Sequence, residues 1–209
     1  MKQLPLFPLN LVAFPGEELN LHIFEPRYKQ LVNDCIEEQS SFGIPSFVNN
    51  KIELGTEVEI VEVAKRYSDG RMDIKTKATK VFQVNEYWNP WGEKLYAGGE
   101  ISYLDQSKES TDLQLLIKMK ELANQLFSWL QEVNTPNVAK AKSVFDLGHK
   151  IGFKLDEEYE LLKMPTENER LEFTIKHLEK LIPALERAQF AQERIKQNGH
   201  FKHLDPLKF

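Results

Sequence analysis

The chain has a single cysteine, Cys35, in 209 residues, which excludes an intramolecular disulfide and any cysteine-built zinc cage. Set among Leu31, Val32 and Ile36, Cys35 reads as a buried thiol acting as a small apolar side chain. Long apolar runs are also missing. None approaches the roughly 20 residues that a membrane span requires, and Lys2 is followed at once by proline-broken sequence rather than the apolar stretch of a signal peptide. The expected setting is cytoplasmic, with no membrane partner. A basic surplus is absent as well: net charge is −5, residues 1–105 carry 11 basic and 16 acidic groups, and the remainder carries 16 of each. Phosphate backbones demand clustered Lys and Arg, so nucleic acid is not expected as a partner.

Signatures of catalysis are missing too. There is no Gly-x-x-x-x-Gly-Lys-Ser/Thr phosphate cradle and no Gly-x-Ser-x-Gly elbow. Of the five histidines, His22, His149, His177, His200 and His203, only His200-x-x-His203 with Asp205 approaches metal-ligand spacing. That set lies past a helix stop in a tail and reads as solvated residues; no cofactor, metal or catalytic residue is expected. Glu57, Glu59 and Glu62 read as the wet face of a strand rather than an acid–base pair.

What is present begins with Leu4-Pro5-Leu6-Phe7-Pro8-Leu9, then Phe14-Pro15-Gly16, then Leu19-Asn20-Leu21-His22-Ile23-Phe24-Glu25-Pro26-Arg27-Tyr28. Prolines at 5, 8 and 15 forbid a helix, and the residues between them are too apolar for a solvated tail. The stretch predicts a proline-punctuated edge strand, a turn at Pro15-Gly16 and a second strand. A helix follows over Glu25 to Glu38, with Pro26 in its first turn. Apolar residues at 42, 44 and 48 followed by Asn49-Asn50 predict a strand and a loop. Glu57 to Val63 alternates charged and apolar. Ser68-Asp69-Gly70 predicts a type I′ hairpin turn into Met72–Ala78, with Val81–Val84 and Leu95–Leu104 as further strands. Short hairpin-linked strands with one early helix indicate a small mixed or closed sheet over residues 1–105.

Residues 105–112 are polar and linker-like, and from 112 the period becomes helical. Leu113, Leu116, Ile117, Leu122, Leu126, Phe127 and Leu130 form a stripe that Thr135-Pro136-Asn137 ends. Ser143 predicts the cap of a short helix to Ile151, with Gly152 as its stop, and Asp156 the cap of the next. Thr166-Glu167-Asn168-Glu169 predicts a capping box at the head of a long helix, kinked or broken at Pro183 and stopping at Asn198-Gly199. A helical unit over 112–199 and an irregular tail over 200–209 complete the organisation.

The opening motifs, with Gly55-Thr56 and Ile60, the 68–70 hairpin, Thr79-Lys80-Val81-Phe82 and Lys163-Met164-Pro165 leading to Glu169-Arg170-Leu171, resemble the N-terminal substrate-binding domain of the Lon protease family. The Phe-Glu-Pro-Arg-Tyr form is most similar to stand-alone members without an attached protease. The resemblance implies an α+β fold: a PUA-like β-barrel subdomain followed by a helical subdomain ending in a long helix. It implies a non-catalytic module binding unfolded or extended polypeptide, an adaptor in protein quality control with a protease or chaperone as further partner. A small-molecule- or nucleotide-binding PUA-like domain is the alternative. The candidate binding residues are Phe24, Arg27, Tyr28, Trp88 and Trp91. Arg27 either braces the first helix or presents its guanidinium. Trp88 and Trp91, placed on a loop around Asn89-Pro90, either anchor a partner or fold back over the barrel mouth.

Overall fold

The computed structural model describes residues 2–106, 110–130 and 136–199, the side chains of 196–199 excepted. The expected tail, its His200 and His203, and Thr135 lie outside the described residues. Six strands form one sheet: β1 (Lys2–Leu6), β2 (Glu18–Ile23), β3 (Phe42–Val48), β4 (Lys51–Arg66), β5 (Met72–Trp88) and β6 (Ala97–Tyr103), with α1 (Pro26–Glu37) between β2 and β3. Their order is β2-β5-β4-β3-β1-β6, and β6 returns to pair with β5, so the sheet closes on itself. The helical half holds α2 (Leu113–Leu130), short 3₁₀ turns between 138 and 150, α3 (Leu155–Lys163) and α4 (Glu167–Gly199). The α+β class expected from the sequence is the class observed.

Closure depends on the length of β5. Its second half pairs with β6 from Phe82 to Trp88, while its first half pairs with β2 from Met72 to Lys77. β4 behaves alike, pairing with β3 only as far as Val58 before running on to Arg66 beside β5. The barrel therefore flares at the far ends of β4 and β5. The alternation that marked residues 57–63 and 72–78 belongs to this flared part.

Several expectations are corrected here. β1 is interior, paired parallel with β3 and antiparallel with β6. Phe7 and Leu9 donate to carbonyls of β3, so Pro5, of the same parity, faces that side before β3 begins at Phe42. The lost donor falls where no ladder exists. The Asp-Gly hairpin is not type I′: Gly70 alone has positive φ (79°), and its N–H closes the turn onto the Tyr67 carbonyl. Glu57 is buried rather than wet, because register shifts between Thr56 and Val58 bring both faces of residues 54–58 under cover. Its carboxylate accepts from Lys2 Nζ (2.7 Å), Tyr103 Oη (2.7 Å) and Ser41. Burial opposes its charge, and those donors outweigh burial to hold the carboxyl below its usual range.

In the helical half, α2 buries Met119, Ala123, Leu126 and Phe127, while Leu113 and Ile117 are 67% and 50% exposed and Leu130 is also exposed. The expected stripe holds the buried Leu126 and Phe127 but lacks Met119 and Ala123, which set its phase. Residues 143–151 form two 3₁₀ turns rather than one helix; Ser143 does cap, accepting from Phe145 N–H. The cap of α3 lies earlier than Asp156, with Glu157 accepting from the Lys154 N–H. Glu169 N–H donates to Thr166 Oγ1 as expected. The return bond expected from the Thr166 N–H to the Glu169 carboxylate is not found among the described residues, and the neighbouring Glu167 carboxylate accepts from Ser143, Val144 and Arg170. α4 is continuous through Pro183; its buried residues Leu171, Leu178 and Ile182 all precede that proline, and residues 187–195 are exposed.

The two halves share one apolar cluster, in which Phe14, Val48, Leu54 and Val81 of the barrel pack with residues of α2, α3 and α4. Phe14 is the bolt: fully buried, it stacks on Phe145 (5.0 Å) and meets the tilted ring of His149 (4.6 Å). His149 also meets Glu158 at 2.8 Å and Glu17 at 3.2 Å. These two carboxylates, Glu158 foremost, push its pKa up to about 9.

Two expected outcomes follow from this packing. A Cβ at Gly55 would lie 2.5 Å from Pro45 Cα and 2.6 Å from Ile44 O, so Gly55→Ala should cost about 1–3 kcal/mol in denaturant melts; an unchanged midpoint would refute the close approach. His149 is charged in the folded protein at neutral pH, so its contribution is complete below pH ~6.5 and is lost as pH rises to about 9. For a half-exposed pair this is about 1 kcal/mol. The wild type should lose that much more stability than His149→Gln between pH 6.5 and 9, and parallel curves would contradict the clamp.

Candidate functional site

The sequence-predicted residues fall into two groups. Trp88 ends β5 rather than standing on a loop, and Trp91 follows in the β5–β6 connection. Their rings stack with centroids 6.3 Å apart, and Trp91 meets the edge of Tyr96 at 6.4 Å. Both indoles are half-buried. Trp91 lies flat on Gly98 of β6, where any Cβ would collide with the indole. The pair thus folds back along the barrel while keeping part of each ring in solvent.

The loop carrying Trp91 is held down by α1. Asp34 accepts from Lys94 Nζ (2.6 Å) and Tyr96 Oη (2.8 Å), and Gln30 Oε1 accepts from the Leu95 N–H (2.8 Å). Burial opposes the Asp34 charge, and the two side-chain donors overcome it to hold the carboxyl below its ordinary value. Burial first, and then the bond to Asp34, raises the Tyr96 hydroxyl. This network presents Leu95, 59% exposed, beside the tryptophans. The aromatic run 87–96 pointed to the region, but nothing in sequence paired Asp34 with Lys94 across 60 positions.

The second group sits at the entry of α1. Arg27 contacts Glu25 Oε2 through Nε (2.9 Å) and Nη2 (2.8 Å), and its guanidinium lies 4.5 Å from the Tyr28 ring centroid. It braces the helix entry from its own turn and leaves its other edge in solvent. Tyr28 is a core residue, 6% exposed and stacked on Phe7 at 3.7 Å. Burial raises its hydroxyl, with Arg27 partly opposing. The Arg27 charge likewise reaches Tyr87, just before Trp88, whose hydroxyl burial raises. Arg27, Tyr28 and Tyr87 therefore form one neighbourhood, while Trp88, the next residue along β5, points to the opposite face of the strand. Phe24, 58% exposed, stands apart from the indoles with His22 as its aromatic neighbour at 6.0 Å.

Cys35 is buried, and burial pushes its thiol up to about 11, against a role as nucleophile or metal ligand at neutral pH. Among the described residues no group of three or more His, Cys, Asp or Glu side chains converges on a possible metal position. No described helix is long and apolar enough to cross a membrane. The arrangement offers half-exposed aromatic faces and a guanidinium with a free edge, groups suited to contact with a partner.

Gly98→Ala is expected to lift Trp91 from the barrel. The emission of the indoles should shift to the red and become more open to acrylamide while the fold is kept. Unchanged emission would mean that Trp91 does not rest on Gly98.

The fold agrees with what comparison with known proteins finds. The N-terminal domain protein of Lon type from Xanthomonas campestris superposes with a TM-score of 0.64 at 26% identity, covering 82% of this chain and 96% of that one. The N-terminal domain of the Mycobacterium avium complex Lon protease gives a TM-score of 0.61 at 16% identity, covering 85% and 98%; at that identity the likeness is one of fold. No curated protein sequence matches the chain. The family model of the substrate-binding domain of ATP-dependent protease La (LON) matches residues 3–180, and the chain belongs to that family.

Proposed function

We propose that this protein is a non-catalytic module that binds unfolded or extended polypeptide and acts as an adaptor in protein quality control, handing clients to a separate protease or chaperone. The observation that carries the reading is the match to the LON substrate-binding domain over residues 3–180. The surface supports it physically. Trp88 and Trp91 offer stacked, half-exposed rings, Leu95 is exposed in the same connection and Arg27 presents a free guanidinium edge at the helix entry. Aromatic and Arg anchors dominate binding energy where polypeptides meet. Phe24 is a separate exposed contact at the start of α1, and Tyr28 supports the surface from beneath.

The test is anisotropy titration of a labelled, permanently unfolded protein against the wild type and a Trp88→Ala/Trp91→Ala variant. Two anchors worth about 1–2 kcal/mol each should make the variant bind at least tenfold more weakly, while the folded form of the same client binds neither. Absence of binding by the wild type would overturn the reading and favour a small-molecule or nucleotide ligand. Equal binding by both forms would remove the tryptophans from the site.

A further inference from the structure

Beyond Val58, β4 has β5 on one side and no strand on the other, because β3 begins at Phe42 and the chain before it turns away into α1. Among the described residues, no backbone hydrogen bond closes that side of Glu59–Val63. Such an edge is a template for another strand. It is also walled. A groove of about 530 Å³ runs between it and the C-terminal end of α1, with Ile36, Gln39 and Ser40 on one wall and Ile60, Val61 and Val63 on the other. A second groove of about 360 Å³ continues from Gln39 and Ser40 to Trp91 and Lys94. The tryptophan surface and the open edge thus lie at the two ends of one path around the end of α1. The edge of β2 is also unpaired among the described residues, but neither of these two grooves is lined by it.

The charge of the path is uneven. α1 has no basic residue in its last turn, so Glu37 and Glu38 add to the partial negative charge of its terminal carbonyls. Glu59 stands exposed on the opposite wall, whereas Glu62 is held by Lys75 at 2.7 Å. At the Trp91 end, Lys94 and Lys2 are engaged by Asp34 and Glu57. Lys65, at the outer end of the edge, lies over the Tyr67 ring. The stretch between them is open, negative and flanked by Ile36, Ile60 and Val63.

Resting on the polypeptide-binding reading, we infer that this groove takes an extended segment with alternating apolar side chains and flanking lysine or arginine. The segment adds as a strand to Glu59–Val63 of β4, in line with β3, and its chain continues past the end of α1 toward Trp91. Five residues of β4 give about 17 Å of ladder, and selectivity comes from Glu38 and Glu59, which line the path.

The test uses two labelled ten-residue peptides of alternating valine and threonine, one flanked by lysines and the other by glutamates. Each is titrated against the whole protein and a Glu38→Lys/Glu59→Lys variant, with amide exchange followed on the complex. Wild type should prefer the lysine peptide at least tenfold at low salt, less so at 0.5 M salt. The variant should reverse the preference at an unchanged melting temperature, and amides of residues 59–63 should exchange more slowly when the peptide is bound. Equal affinity for the two peptides, or protection on Glu18–Ile23 instead, would overturn the inference even if unfolded protein still binds through Trp88 and Trp91. Failure of the wild type to bind any unfolded polypeptide would overturn the function itself.

Discussion

Everything in the barrel depends on Phe82 filling the closed sheet, which it can do only because the strands facing it carry no side chain there. A Cβ at Gly43 would stand 2.6 Å from the Phe82 ring, and one at Gly55 2.8 Å from it. Leu4, Leu6, Ala97 and Ile101 complete this small core around the ring. The core around the ring is thus filled by side chains. The proposed binding surfaces lie outside it, at the flared end of β4 and at the rim beneath the tryptophans, while another flank of the barrel forms the seam with the helices.

That seam is governed by the Phe14-Pro15-Gly16 stretch. Gly16, at φ 89°, donates its N–H to Ala78 and turns the chain into β2, which leaves Phe14 pointing into the helical half. There Gly148 lies so close against the ring that no side chain could replace its hydrogen. The charged His149 caps the same ring and ties Glu17 of the turn to Glu158 of α3. One motif thus serves both the sheet and the interface with the helices, and the barrel and helical half are coupled through a shared core rather than through a linker.

Local rules made much of this legible. Pro26 at a helix entry, Asn49-Asn50 in a turn where both have positive φ, and the strand character of 57–63 each depend on near neighbours. The failures came where partners distant in sequence decide. β1 looked like an edge because its prolines argue against a ladder, yet its lost donor falls beyond the end of β3. Glu57 looked wet because alternation placed it outside, yet Lys2 and Tyr103 converge on it from β1 and β6. The aromatic run around Asn89-Pro90 marks the tryptophans in the sequence. Their half-burial followed from Gly98, a bare position on the next strand that no pattern in the loop itself announced.

The same long-range logic gives α1 its place in the molecule. Its first turn buries Tyr28 against Phe7 and leaves Arg27 at the surface; its middle holds the Trp91 loop through Gln30 and Asp34; its end walls the open edge of β4. That end is closed by Ser40 N–H donating to Cys35 O and Gln39 N–H to Ile36 O, a turn that requires positive φ at Gln39 (51°). A non-glycine residue there costs on the order of 1 kcal/mol, and the same turn keeps residues 39–41 from continuing β3 along β4. The open edge and the tryptophan surface are thus two consequences of where one helix begins and ends, and any polypeptide bound at one of them must pass the acidic end of α1 to reach the other.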